Sequence, residues 1–265
     1  MDRDNWSASR YEPERARAWH LSILCGHGMW AWAAHDRANG EVMAMGSSDV
    51  VTVLDEVPVP TEPFSVSFVT LPEWSTLVPV GALEPGSEAR HLAFVHGTLP
   101  TGALRDEPLT SLGASCIYVH DDEAERTILN RFPNARPIPM QALMVRAALS
   151  RSSSAPVMLL HKGHDRSDVA IASNGRILLS NSYPAHVSQD MLYFALLAVE
   201  GAGLRPEDVE VRYGGMHITP HGRDLLHRYF LNEAPAIGPW PDEPAWLEMG
   251  PSRWLAVLEQ FPCVS

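Results

Sequence analysis

The chain has 265 residues, 45% hydrophobic and 20% charged, with 32 acidic against 20 basic residues and a formal net charge of −12. That balance excludes a general nucleic-acid or anionic-membrane surface, which needs a basic footprint, and leaves a basic protein partner or an uncharged ligand easier to accommodate. The length allows one large domain or two modest ones, each with its own core.

No apolar run approaches the roughly 18 residues of a membrane span, and residues 1–17 are charged rather than signal-like; the expected location is the cytoplasm, without membrane insertion. Cys25, Cys116 and Cys263 are an odd number, which favours reduced packing thiols over bridges.

In chain order the first strong signal is an apolar run, Leu21 to Cys25, ending in the glycine turn Gly26-His27-Gly28. Trp30 to Ala34 follows, then Asn39-Gly40, then Val42 to Met45. An Asn-Gly pair between apolar runs marks a tight hairpin, because both central residues tolerate positive φ. Beyond this meander the pattern predicts a helix near Ser48 to Leu54, a strand at Phe64 to Val69 and a helix near Pro85 to Val95. A strand at Ser115 to Val119 and a helix opened by Asp122, with Glu125 three residues on, complete the half. Arg151 to Pro156 is small and polar, so a linker is expected near Ala147 to Pro156.

The meander then recurs. Val157 to Leu160 leads to a turn around Gly163, Val169 to Ala172 leads to Asn174-Gly175, and Ile177 to Leu179 closes the unit. A helix starts at Ser188, with Asp190 complementing the dipole; Met191, Leu192, Phe194, Leu196, Leu197 and Val199 make it apolar nearly all round, which predicts burial. A strand at Val209 to Tyr213 precedes a helix capped by Thr219 with Pro220 in its first turn. The proline-rich stretch Asn232 to Pro244, around Trp240, is expected to be extended and packed across the second half, with a partner-facing arm as the rival reading. A short strand at Ala245 to Met249 and a helix from Ser252 follow.

Each half therefore reads as three antiparallel strands followed by helix, strand, helix, strand, helix, the ribonuclease-H-like order. Two such halves in tandem, 1–150 and 151–265, predict an α/β protein of actin-like architecture with mixed sheets and a cleft between halves. Leu21 to Phe132 and Val157 to Phe261 are expected to superpose as two copies of one fold.

The stretch Leu179-Ser180-Asn181-Ser182-Tyr183, then Ser188-Gln189-Asp190-Met191-Leu192-Tyr193-Phe194, ending at Leu204-Arg205-Pro206-Glu207, resembles the signature of a bacterial family, domain of unknown function 3822. Leu21-Ser22-Ile23 and Thr76-Leu77-Val78-Pro79 are similar to that family's other recognisable points. The resemblance implies a fold related to actin and its ATPase relatives, and it brings no activity with it. One departure counts: where the family tends to carry Asp-Gly in the first meander this chain has Gly28-Met29, so no role for that carboxylate carries over.

Nucleotide chemistry can be tested against the residues. Phosphoryl transfer relies on positioning and on neutralising developing charge, and an actin-like enzyme cradles phosphates between its two hairpin turns. The candidates are Lys162, the only lysine, with Gly163 and Asp165 in the second turn, and Asp168 beyond it. Gly214 and Gly215 follow a strand and could let an adenosine approach closely. The first turn, Cys25 to Met29, holds no carboxylate, which leaves half a clamp. No ATP hydrolysis is expected, and ATP with magnesium remains the cofactor alternative.

His161, His164, Asp165, His217 and His221 could converge on a metal ion. Twelve histidines are many, and turns collect them at no cost, so they are read as turn residues and no metal site is expected. The chain lacks a phosphate-binding Gly-Lys-Ser/Thr loop, a His-Glu-x-x-His pair, a Gly-x-Ser-x-Gly elbow and a dinucleotide fingerprint. The function expected from sequence is a binding or scaffolding module with a degenerate nucleotide cleft and a protein partner; the alternative is a nucleotide-dependent switch or ATPase.

Overall fold

The computed structural model describes residues 5–49, 54, 58–99, 101–236 and 250–264. The first meander forms as expected from its apolar runs. It comprises β2 (Trp19–Gly26), β3 (Met29–Asp36) and β4 (Val42–Ser48), preceded by β1 (Asn5–Ser7) and followed by β5 (Ser65–Leu71). β2 and β4 are buried along their whole length, so both faces are covered, and that explains why they read as unbroken apolar runs rather than alternating ones.

A three-stranded sheet is inserted next. It is built from β6 (Glu73–Pro79), β7 (Arg105–Leu109) and β8 (Ala114–His120), in the order β6-β8-β7. α1 (Glu88–His96) covers it through the fully buried Leu92. The strand expected at Ser115 to Val119 is β8 and lies in this separate sheet, not beside β5 as the ribonuclease-H-like order implies. The parallel neighbour of β5 is instead the two-residue β9 (Arg136–Pro137), reached after α2 (Asp122–Arg131). Two residues, one of them proline, carry no pattern, whereas the buried central strand of the insert reads as a short apolar run.

α3 (Met140–Arg151) runs through much of the segment expected to be linker. It is buried from Met140 to Val145 and packs against the second sheet as well as the first core. Its N-terminus is capped from far away in sequence, because the Glu73 carboxylate accepts the N–H groups of Met140 and Gln141. Only Ser152 to Pro156 remain as connection.

The second meander is β10 (Val157–Lys162), β11 (Arg166–Ser173) and β12 (Arg176–Pro184). α4 (Ser188–Gly201), β13 (Glu210–Gly214), α5 (Pro220–Tyr229) and β14 (Asn232–Pro235) follow. The sheet order is β12-β11-β10-β13-β14, and the first sheet runs β4-β3-β2-β5-β9 inside its extra edge strand β1. In both, the first strand of the meander pairs in parallel with the next strand beyond it, so the two halves share one topology.

α4 departs from the all-buried expectation. Met191, Ala195, Ala198 and Val199 face the core, Leu196 is only partly buried, and Tyr193 is 61% exposed with Leu197 also in solvent. The Asn232 to Pro235 stretch is extended as expected and extends the sheet beside β13; the rest of the proline-rich segment, the strand expected at Ala245 to Met249 and most of the helix expected near Ser48 to Leu54 lie outside the described residues.

The C-terminal segment, with α6 (Leu255–Leu258) and α7 (Phe261–Val264), follows the second half in the chain but completes the first core. Trp254 to Leu258 are buried against β2, β3 and α3. The buried amide of Gln260 donates to the Ile23 carbonyl at 2.8 Å and accepts from the Ser67 hydroxyl at 2.9 Å. Ser67 in turn hydrogen-bonds His20.

Candidate functional site

The two meander turns face each other across the halves. In the first, Gly26 pairs with Met29, and the two turn residues, His27 and Gly28, both take positive φ, 51° and 74°, the tight hairpin geometry that matches strand twist. The turn projects the His27 ring toward the second turn. Its Nε2 lies 3.1 Å from Asp165 Oδ1, and its ring stacks on His164 with centroids 5.2 Å apart. His164 meets His217, from the loop after β13, edge to face at 5.3 Å. Burial, reinforced by the neighbouring positive groups, pushes the His217 imidazole down to about 4.

The space left between the turns is correspondingly small. The cavity bounded by His27, His161, His164, Met216, His217 and Leu71 measures about 20 Å³, room for about one water and not for a triphosphate.

Lys162 is buried, and burial lowers its affinity for a proton against the pull of Asp165, Asp190 and Asp168. Its ammonium donates to three backbone carbonyls, those of Gly163, His164 and Ala185. All three donors are therefore used within the protein, and none is free for a phosphate in this arrangement. Asp168 is committed as well. It accepts from Arg166 and, at 2.6 Å, from Ser182, and lies 3.2 Å from His161 Nδ1. Burial opposes its charge, but the Arg166 guanidinium and these hydrogen bonds hold its carboxyl well below the usual range. Arg166 also donates to the Glu73 carbonyl of the other half at 3.2 Å, so this buried group ties the halves together.

Gly214 and Gly215 are needed for close approach, but to the protein itself. A Cβ at Gly214 would lie 2.5 Å from the Ser252 carbonyl oxygen; at Gly215, whose φ is 111°, it would lie 2.4 Å from the Lys162 carbonyl oxygen. Gly163 sits in the same knot, its N–H donating to the Arg166 carbonyl. Of the nucleotide candidates, then, Asp165 presents a half-exposed side chain to the space between the turns.

Two larger cavities flank this knot. One, of about 460 Å³, is lined by the first turn together with Asp121, Glu123 and Thr127; the carboxylates missing from the first turn in sequence arrive from the start of α2, where Asp121 caps the helix by accepting from the Ala124 N–H. The other, about 420 Å³, lies between the N-termini of α4 and α5 and is lined by His164, His186, His217 and His221. Asp190 accepts the N–H groups of His186 and Val187 just before α4, and Thr219 accepts the Gly222 N–H in the first turn of α5. His221 lies in this second cavity, apart from the imidazoles between the turns.

His27 is the residue that sequence reasoning passed over. Its signal was positional: in a duplicated topology the first turns of the two meanders face each other, so His27 belongs with His164 and Asp165 although 137 residues separate His27 from His164.

The family described as protein of unknown function (DUF3822) matches residues 55–232, more than half of the chain. The chain belongs to that family. The matched span includes β12, α4 and the second turn, and it leaves the Leu21-Ser22-Ile23 opening outside. A crystal structure from Bacteroides thetaiotaomicron, described as a protein with actin-like ATPase fold and unknown function, is similar with a TM-score of 0.75 at 15% identity, over 94% of this chain and 97% of that one. A chain of the PilM-PilN type IV pilus biogenesis complex is similar with a TM-score of 0.52 at 12% identity, over 90% of this chain and 96% of that one. No curated protein matches the sequence. At these identities the likeness establishes the fold, which is actin-like as the duplicated meanders predicted.

Proposed function

We propose that this family member is a binding or scaffolding module of actin-like form that recognises a protein partner and does not hydrolyse ATP. One observation carries the reading: the place between the two turns, where an actin-like ATPase would cradle phosphates, is filled by the imidazoles of His27, His161, His164 and His217 down to about 20 Å³. Opening it for a triphosphate would require displacing the His27 and Asp165 contact and the Lys162 knot together. Fold likeness alone assigns no activity, but the PilM-PilN complex is consistent with this fold receiving a protein. The outer face of α4 offers a place for one, with Tyr193 and Leu197 exposed and Phe194 stacked on Tyr183.

The second reading, a nucleotide-dependent switch, is favoured by the 420 Å³ cavity between the starts of α4 and α5, since helix N-termini attract phosphate. Calorimetry with ATP, with and without magnesium, decides between them, alongside phosphate release. The scaffold reading expects no saturable heat and no turnover; phosphate release on the order of 1 per second, abolished by Asp165→Asn or Lys162→Ala, overturns it.

A further inference from the structure

The side chains of His27, His164 and Asp165 come from opposite halves, and their ligand atoms all lie within 4.8 Å of one another. His27 Nε2 and Asp165 Oδ1, at 3.1 Å, are already near the roughly 3.3 Å that separates two ligands bound tetrahedrally to zinc at about 2.0 to 2.1 Å. His164 is exposed, so it can close the remaining distance by rotating its ring. Two imidazoles and a carboxylate are a donor set that suits zinc and does not suit magnesium, which takes oxygen ligands and keeps its waters.

The backbone supplies a separate reason to single out His27. The same kind of tight turn recurs at Asn174-Gly175, with φ of 51° and 69°, and there the first position holds asparagine, a residue that enters the left-handed region readily. In the first turn a histidine takes that conformation instead and delivers its ring to Asp165 and His164.

We propose that His27, His164 and Asp165 form a zinc site that clasps the two halves at their turns, with the fourth position left to water or to a ligand atom from a bound partner. Three protein ligands and one open position are the composition of a site that can exchange its fourth ligand. The inference stands apart from the scaffold reading above, since zinc and ATP are read in separate titrations.

The test uses the full chain without a histidine tag, stripped with chelator. Calorimetric titration with zinc chloride is expected to show one ion per chain. Cobalt(II), added instead, is expected to give the visible absorption of a tetrahedral site. His27→Asn is the sharpest variant, because asparagine preserves the turn; it and Asp165→Asn are each expected to weaken zinc binding by about tenfold or more, whereas His221→Ala leaves it unchanged. Thermal unfolding of the metal-free variants confirms that both fold. Absence of saturable zinc binding, affinity unchanged from the parent in His27→Asn and Asp165→Asn, or loss in His221→Ala alone would each overturn the proposal, the first showing that His27 and Asp165 only contact each other.

Discussion

The two meander turns occupy equivalent places in one repeated topology, yet they are held by different physics. The first, His27-Gly28, is a two-residue connection in which a Cβ added at Gly28 would meet nothing within 4 Å. The second is a cross-braced node. Lys162 binds three carbonyls, Arg166 is paired with Asp168 and reaches across to Glu73, and Gly215 lies against the Lys162 backbone. The shared strand topology fixes where the turns sit. It does not fix their work, because a turn's strand pairing needs only backbone, which leaves side chains free to diverge into an anchor on one side and a presented imidazole on the other.

The contrast breaks most decisively at the buried ion pair. Arg166→Leu strands the Asp168 carboxylate in the interior, and equilibrium denaturation is expected to show a loss of about 3 to 5 kcal/mol. The pH dependence has a definite sign. Because Asp168 is held below its ordinary carboxylate range, its contribution is present above about pH 4 and is lost as pH falls through the depressed value. The stability gap between the wild-type protein and Asp168→Asn should therefore narrow on acidification and stay constant from neutral pH upward.

Gly215→Ala comes next, at about 3 kcal/mol, combining a positive φ with overlap on the Lys162 backbone. Lys162→Met should cost about 2 kcal/mol by leaving buried carbonyls without donors. An unchanged denaturation midpoint in Lys162→Met would mean that the ammonium is not structural and would return it to the phosphate-ligand reading. In the first turn the expected effects shrink. Gly28→Ala should cost about 1 to 2 kcal/mol, from backbone strain alone. Without metal, His27→Asn should stay within about 0.5 kcal/mol of the parent. If the two turns prove equally sensitive, the division into anchor and presenting loop is wrong.

How much of this was legible beforehand follows the range of the forces involved. Leu21 to Met45 and Val157 to Leu179 announced two meanders because apolar runs and turn glycines are local signals, although of the two Asn-Gly pairs only Asn174-Gly175 forms the two-residue turn with positive φ at both positions, Asn39-Gly40 lying in a longer loop. Thr219 and Pro220 announced α5 for the same reason, and the Thr219 hydroxyl does accept from the Gly222 N–H. β6 and β7 left little trace, since their buried positions include the polar Glu73, Ser75 and Glu107, which breaks the apolar alternation expected of a strand. α3 is absent from the sequence reading, in which Arg151 to Pro156 suggest a linker from Ala147 on; its end is set by burial between two sheets and by the Arg151 and Glu259 ion pair, a contact spanning 108 residues. The outer face of α4 was mistaken for core because periodicity shows which residues are apolar and not whether anything covers them.

The candidate site divides in the same way. Composition and pattern alone determined the α/β class, the repeated strand order, the capping of α5, and the inventory of chemistry, with one lysine and histidine-rich turns. Tertiary structure alone decided that Lys162 and Asp168 are spent on internal partners and that Gly214 and Gly215 receive the protein's own backbone. It likewise decided that the C-terminal helices complete the first core and that His27 faces His164 and Asp165. Hydrogen bonds and ion pairs act over a few ångströms, and the chain brings those atoms within reach only by folding two distant segments against each other.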